Sequence, residues 1–368
     1  MRPVSWCTAA ALAWLAAATA ARAQAPVTLG GVTAAPGTAV SGELQVAPRG
    51  TDAGTVIPFS ILNGAKAGPT LALVAGTHGA EYPPILALQR LRGTIDPKDL
   101  SGTIIMVHVA NMPAFLGRAI YYTPGDHKNL NRVFPGRADG TISERIADTL
   151  TREIIDRAQY LIDLHCGDAN ESLRPYLYLT VTAPPALVEA IRQMALAFGM
   201  DHIVLDRERP TDPAASVYLE NTAITRGKPA LTIESGGMGQ TDEESIRRIE
   251  DGVAGVLKHL KMRTTGPDPV EHPVFLGRNL VLTSRHSGIF YPLVERGHTV
   301  AEGALIGRVT DFHGRTLEEV RAPFSGEILY VIGTPPTTTG EPLAFIAAAA
   351  TLAEMPRREP DDLVTSRR

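Results

Sequence analysis

The residues best equipped for chemistry lie in Val74-Ala75-Gly76-Thr77-His78-Gly79-Ala80-Glu81. An imidazole and a carboxylate stand three residues apart, where glycine lets the backbone bend sharply. Two such groups can close on one divalent ion. His165 offers a third ligand, and two histidines with one carboxylate leave a fourth position on zinc open for water, as in hydrolytic rather than structural sites. His-x-x-Glu alone is a weak signal. Taken singly, His78 also reads as a loop histidine bonded to backbone, and His165 as a satisfied core histidine. The metal reading gains because both follow strands of one expected sheet.

Glu234, in Thr232-Ile233-Glu234-Ser235-Gly236-Gly237, is the candidate general base. A hydrophobic strand presents one carboxylate ahead of two glycines, and reduced solvation would raise its pKa toward the working pH. A capping or ion-paired glutamate is the bland alternative. Asn131 and Arg132 form a carboxylate anchor, since guanidinium is a planar fork suited to bidentate binding and the amide adds a donor. Arg118 can place positive charge where an amide oxygen becomes negative. Both arginines can instead satisfy loop carbonyls. Asp163 shares a strand face with His165, either to orient its imidazole or as a plain buried ion pair. Cys166 reads as a small buried filler ahead of a soft ligand or nucleophile.

The elements that must position these groups alternate. An apolar strand Thr70–Val74 runs into a loop and then a helix over Ile85–Leu91, with Pro83 and Pro84 tolerated in its first turn. Before it, residues 43–46 and 55–61 read as a hairpin around Arg49–Asp52. Further strands are expected at 103–109, 160–164, 177–181, 203–205 and 229–233. Helices are expected from Ser143 to Ala158, over 185–198 with Gly199 as its stop, over 217–225 and over 243–260. Residues 110–140 are rich in Gly, Pro and Asn, and a loop of that length is functional or disordered; its aromatic residues argue for function. The alternation implies an α/β fold with a mixed central sheet flanked by helices, and sites in such sheets form beyond strand ends. Residues 263–272 read as a linker, 273–350 as a smaller C-terminal all-β module, and 351–368 as a loose tail.

Residues 1–25 read as a cleaved signal peptide: a basic start at Arg2, an apolar run from Thr8 to Ala21, and small-x-small sites at Ala21-Arg22-Ala23 and Ala23-Gln24-Ala25. The expectation is an exported chain, periplasmic or secreted, with no membrane attachment after cleavage. Cleavage removes Cys7 and leaves Cys166 alone, so no intrachain disulfide is possible. The formal charge of −4 over 368 residues becomes about −6 once Arg2 and Arg22 leave, which offers no basic field for nucleic acid.

Four motifs, in order along the chain, resemble the succinylglutamate desuccinylase/aspartoacylase family, a branch of the zinc carboxypeptidase superfamily. They are Gly76-Thr77-His78-Gly79-Ala80-Glu81, Asn129-Leu130-Asn131-Arg132-Val133-Phe134-Pro135-Gly136, Asp163-Leu164-His165 and Ile233-Glu234-Ser235-Gly236-Gly237. The resemblance implies one zinc per chain on His78, Glu81 and His165, and Glu234 as base and proton shuttle. It also implies substrate-carboxylate contacts from Asn131 and Arg132, oxyanion stabilisation by Arg118, and a zinc carboxypeptidase/phosphorylase-hydrolase-like fold. Many relatives have Asp-Leu-Asn-Arg, where this chain has Asn129. The β module fits the family's C-terminal domain and is similar to biotinyl/lipoyl sandwiches, but has no exposed lysine at a hairpin tip to carry a swinging arm. It is expected to wall one side of the cleft, with Tyr291 and His286 as candidates to reach the substrate.

Three functions follow. The first is a zinc-dependent deacylase that hydrolyses the amide of an N-acyl amino acid or related small carboxylate-bearing amide. The alternative is an exported metallocarboxypeptidase acting on peptides or cell-wall peptides. The third, a zinc-dependent binding protein, has no need for the base at Glu234.

Overall fold

A computed structural model describes residues 24–351 and 353–355, so nearly all of the proposed leader lies outside the described residues. Thirteen strands form one mixed sheet. In spatial order it runs Thr38–Val46, Thr55–Asn63, Ser101–Val107, Lys66–Ala75, Tyr160–Gly167, Ala230–Gly237, Tyr176–Thr180, His202–Asp206, Val274–Thr283, Pro342–Ala349, Gly326–Ile332 and Thr299–Val300, with Glu171–Leu173 also pairing Gly326–Ile332. The four strands from Ser101–Val107 to Ala230–Gly237 are mutually parallel. Leu71–Ala75 and Gly102–Val107 are buried without interruption, the signature of parallel strands covered on both faces. Their C-terminal ends therefore open on the same side of the sheet.

Register does the positioning. Ala75 lies beside Leu164, and His165 beside Glu234. The helices Tyr82–Thr94, Pro185–Phe198 and Glu243–His259 pack together against the sheet. The last is set by Asp242, which accepts a 2.8 Å bond from Ser245 N, with Glu243 and Glu244 in its first turn and Lys258 and His259 in its last, matching the helix dipole. Gly199 ends the second helix in the left-handed region, φ 85°.

Some elements differ from expectation. The helix expected from Ser143 begins one residue earlier, at Ile142, because Thr141 and Glu144 form a reciprocal capping box. After Leu150 it widens into a π-type turn over Thr151–Ile155 and stops short of Ala158. The helix expected over 217–225 is shorter, Leu219–Ile224, since Val217 holds a left-handed φ of 68°. The 110–140 segment is ordered around a short helix, Met112–Gly117, and a 3₁₀ turn, Leu130–Arg132.

The linker expectation changes most. Val274–Thr283 pairs in parallel with His202–Asp206, so the main sheet continues into the C-terminal region. The unpaired edge of His202–Asp206 needs a partner, and this strand supplies it. Beyond it, a four-stranded sheet of Thr316–Arg321, Leu305–Thr310, Gly288–Pro292 and Pro336–Thr337 completes a sandwich. Its core gathers Phe290, Ile306, Val309 and Phe345 around Tyr176, Leu173 and Val204, which belong to the preceding α/β part. Among the described residues no helix is long and apolar enough to cross a membrane.

Candidate active site

The strand Lys66–Ala75 ends at Gly76, whose φ is 71°. A Cβ on Gly79 would lie 2.4 Å from Ala114 O, so only glycine admits the Met112–Gly117 segment this close. Glu81 is the N-cap of the helix Tyr82–Thr94, yet its side chain makes no capping bond. A cap accepts from the second or third helical N–H, and those positions are Pro83 and Pro84 in part, which have none to give. The prolines thus leave the carboxylate free to turn toward the histidines.

Glu81 receives both imidazoles. His78 Nδ1 lies 2.8 Å from Oε1, and His165 Nδ1 lies 2.9 Å from Oε2 and 3.2 Å from Oε1. The other ring nitrogens face acceptors: His78 Nε2 is 3.1 Å from Asn129 Oδ1, and His165 Nε2 is 3.0 Å from Asp163 Oδ2. Asn129 Oδ1 also accepts from Asn131 N at 2.8 Å, which fixes the orientation of the amide. With protons on both Nε2 atoms, two Nδ1 lone pairs and a carboxylate oxygen converge within 4.8 Å, a donor set a divalent cation satisfies. Glu81 Oε2, buried, accepts no hydrogen bond of good geometry, which agrees with that fit. All three residues are buried. Burial pushes both histidines down in pKa, but Glu81 beside His78, and Asp163 with Glu81 beside His165, more than reverse this and hold both above the ordinary value. Burial likewise pushes Glu81 up, and the histidine charges outweigh it, drawing the carboxyl to about 2.

His78, His165 and Glu234 share the wall of a cavity of about 420 Å³ with Asn131, Arg132, Tyr178, Arg209, Tyr218 and Arg278. Glu234 leaves its Oε2 buried and without a partner. Burial raises its pKa well above the usual range; His165 opposes this, while Glu81, Glu171 and Asp163 add to it. Arg132 stands over the Tyr218 ring at 4.6 Å and donates to Asn131 O at 2.8 Å, with no acidic partner. Reciprocal backbone bonds between Phe134 and Val217 bring these two segments together. The positive φ of a β-branched residue at Val217 marks local strain at this junction.

Not every expected residue is placed as foreseen. Arg118 is exposed at the C-terminus of the Met112–Gly117 helix, in the left-handed region, and is not on the cavity wall. Asn131 does reach the wall, but its Oδ1 accepts from Leu219 N at 2.8 Å and its Nδ2 faces Asp163 Oδ2 at 3.5 Å and His165 Nε2 at 3.3 Å. Its amide is committed to the protein, leaving Arg132 as the free anchor. His286 and Tyr291 also lie off the cavity; the C-terminal region contributes Gly277, Arg278, Asn279, Val281 and Phe345 instead. Cys166 is buried, and burial holds its thiol well above its ordinary pKa, so it is a filler rather than a nucleophile.

The sequence reading missed three further groups. Arg209 stacks 3.9 Å over Tyr218 and pairs with Glu220 and with Asp206 at 3.2 Å. The rule that sites gather beyond strand ends, applied to the strand ending at Asp206, would have found it. Arg278, 4.2 Å over Phe324 and without an acidic partner, carried no such signal. Tyr121 meets His78 edge-on at 5.8 Å and gives its hydroxyl to Glu171 at 2.5 Å, while its backbone N–H reaches Asp168 at 3.3 Å. That contact explains the segment after His165: it latches the 110–140 loop over the histidines.

Comparison with known proteins agrees with this geometry. Residues 67–260 match the succinylglutamate desuccinylase/aspartoacylase catalytic domain. N-alpha-acetyl-L-2,4-diaminobutyric acid deacetylase of Halomonas elongata is 31% identical over 302 residues, covering 79% of this chain and 85% of that protein. The product-bound ectoine utilization protein EutE of Ruegeria pomeroyi has a TM-score of 0.75 at 28% identity, with 84% of this chain and 95% of that one covered. A succinylglutamate desuccinylase of Silicibacter sp. gives 0.74 at 28% identity, over 85% and 95%. With its catalytic domain matched over more than half its length and a relative of this identity, the chain belongs to the succinylglutamate desuccinylase/aspartoacylase family.

Proposed function

We propose that the protein is an exported, zinc-dependent deacylase that hydrolyses the amide bond of a small N-acyl amino acid. The observation that carries this reading is the convergence of His78, Glu81 and His165 on the cavity that also holds Glu234 and Arg132. Zinc held by these three residues would supply Lewis acidity, polarising the amide carbonyl and acidifying water. Glu234, once ionised, takes a proton from water in the cavity and returns it to the departing amine nitrogen. Its raised pKa suits both halves of that shuttle. Arg132 holds the substrate carboxylate as a free fork, and Tyr218 beneath it fixes the guanidinium plane. Asn131 acts at one remove, steadying Asp163 and His165. The oxyanion role expected of Arg118 has no support in its position.

The substrate class also draws on the relatives, since the Halomonas protein is a deacetylase of an N-acetylated amino acid. No relative described above supports the carboxypeptidase reading. The test is a screen of N-acyl amino acids beside short peptides, reading released amine before and after chelation and zinc repletion. Cleavage of peptides with no turnover of any N-acyl amino acid would overturn the proposal, as would full activity in the chelated protein.

A further inference from the structure

Two small-x-small sites near the start, Ala21-Arg22-Ala23 and Ala23-Gln24-Ala25, are both acceptable to a signal peptidase by residue type. They differ by two residues, and those two are part of the fold. Gln24 Nε2 donates to Asn63 Oδ1 at 2.9 Å and to Thr103 Oγ1 at 3.0 Å. Ala25 O accepts from Asn63 Nδ2 at 2.9 Å. Asn63 is fully buried and Thr103 nearly so, and the two face each other across the Thr55–Asn63 and Ser101–Val107 strands.

A primary amide has two donor hydrogens and two acceptor lone pairs. Asn63 uses all four: Nδ2 donates to Ala25 O and to Ala34 O at 3.0 Å, and Oδ1 accepts from Gln24 and from Thr103 Oγ1 at 3.0 Å. Without residues 24 and 25, half of that set disappears from a buried group, which is costly in a site removed from water. Ala23 and everything before it takes no part in the set.

We propose that the chain is matured by cleavage of the Ala23–Gln24 peptide bond, so that Gln24 becomes the first residue and completes the hydrogen bonding of Asn63. The step is hydrolysis: water adds across the bond, giving Ala23 a carboxyl and Gln24 an amino group. It rests on reading residues 1–23 as a leader and is independent of the catalytic site.

The experiment is to express the full chain in a Gram-negative host, isolate it from the periplasm, and determine its N-terminus by intact mass and Edman sequencing. A first residue of Gln24 is expected. A first residue of Pro26, or a chain retaining Ala23 or the whole leader, overturns the proposal. A second measurement tests the physical premise: chains made without a leader and beginning at Gln24 or at Pro26 are melted side by side. The shorter chain is expected to melt lower by about 2–6 °C; equal melting temperatures would overturn the role given to Gln24.

Discussion

Replacing Asn129 with aspartate is the most informative perturbation of the metal-binding set. His165 has a carboxylate behind it, Asp163 at 3.0 Å, whereas His78 has only the neutral amide of Asn129 at 3.1 Å. Asn129→Asp keeps both acceptor contacts, to His78 Nε2 and Asn131 N, and changes charge alone. A unit charge about 6 Å from a divalent ion gains roughly 5 kcal/mol at an effective dielectric of about 20. Desolvating the new carboxylate among Glu81, Asp163 and Glu234 removes much of that. Outer partners of metal-bound histidines typically change affinity about 10–100-fold, or about 1.4–2.8 kcal/mol, and the lower end is expected here. Competition of the apoprotein with a graded chromogenic chelator measures it directly, without reliance on turnover. The extra charge should also make Glu234 release its proton at higher pH, moving the acid limb of the activity profile upward. Unchanged or weaker zinc affinity in a correctly folded Asn129→Asp protein would refute the reasoning, since the amide would then not be what limits His78.

Three further outcomes are expected. Glu234→Gln should retain zinc by elemental analysis while losing about 10²–10⁴-fold in turnover; near-normal turnover would remove it as the base. Arg132→Ala should raise KM about 10–100-fold for carboxylate-bearing substrates, the worth of a charged hydrogen bond pair, whereas Arg118→Ala should change little, and the opposite ranking would restore Arg118 to the site. Glu171 has its pKa raised from 4.5 to about 7 by burial, which its bond from Tyr121 only partly offsets. A carboxyl raised in the folded state binds more protons there than in the unfolded chain, so the stability it contributes is full below about 4.5 and is lost as pH rises toward about 7. Glu171→Gln should therefore gain melting temperature relative to the parent across that window, and a constant difference at all pH values would show that Glu171 does not titrate there.

The chemistry was legible in the sequence to the extent that it lies at strand ends. His165 and Glu234 follow apolar runs whose direction and burial are evident from composition, and parallel register then sets them side by side. Arg118 and Asn131 show where that reasoning stops. Both sit in irregular backbone, where residue type advertises a charge or an amide but the direction of the side chain depends on distant contacts such as Leu219 N. The continuity of the sheet across 263–272 was hidden for a similar reason. Strand pairing between residues far apart leaves no local periodicity, whereas a run of Thr, Gly and Pro reads as a break whatever lies on either side.

That continuity bears on how the protein can be cut, recombined or evolved. A catalytic part joined to a recognition part by a flexible tether can trade the latter for another. Here the strand Val274–Thr283 bonds directly to His202–Asp206, and both border the cavity through Arg278 and Arg209. A chain ending near residue 262 would bare the edge of His202–Asp206 together with Tyr176 and Val204, and would tend to aggregate rather than fold as a smaller enzyme. New substrate preferences in this lineage are therefore reached by changing side chains such as Arg278, Val281 and Phe345 in place, not by exchanging the region that carries them.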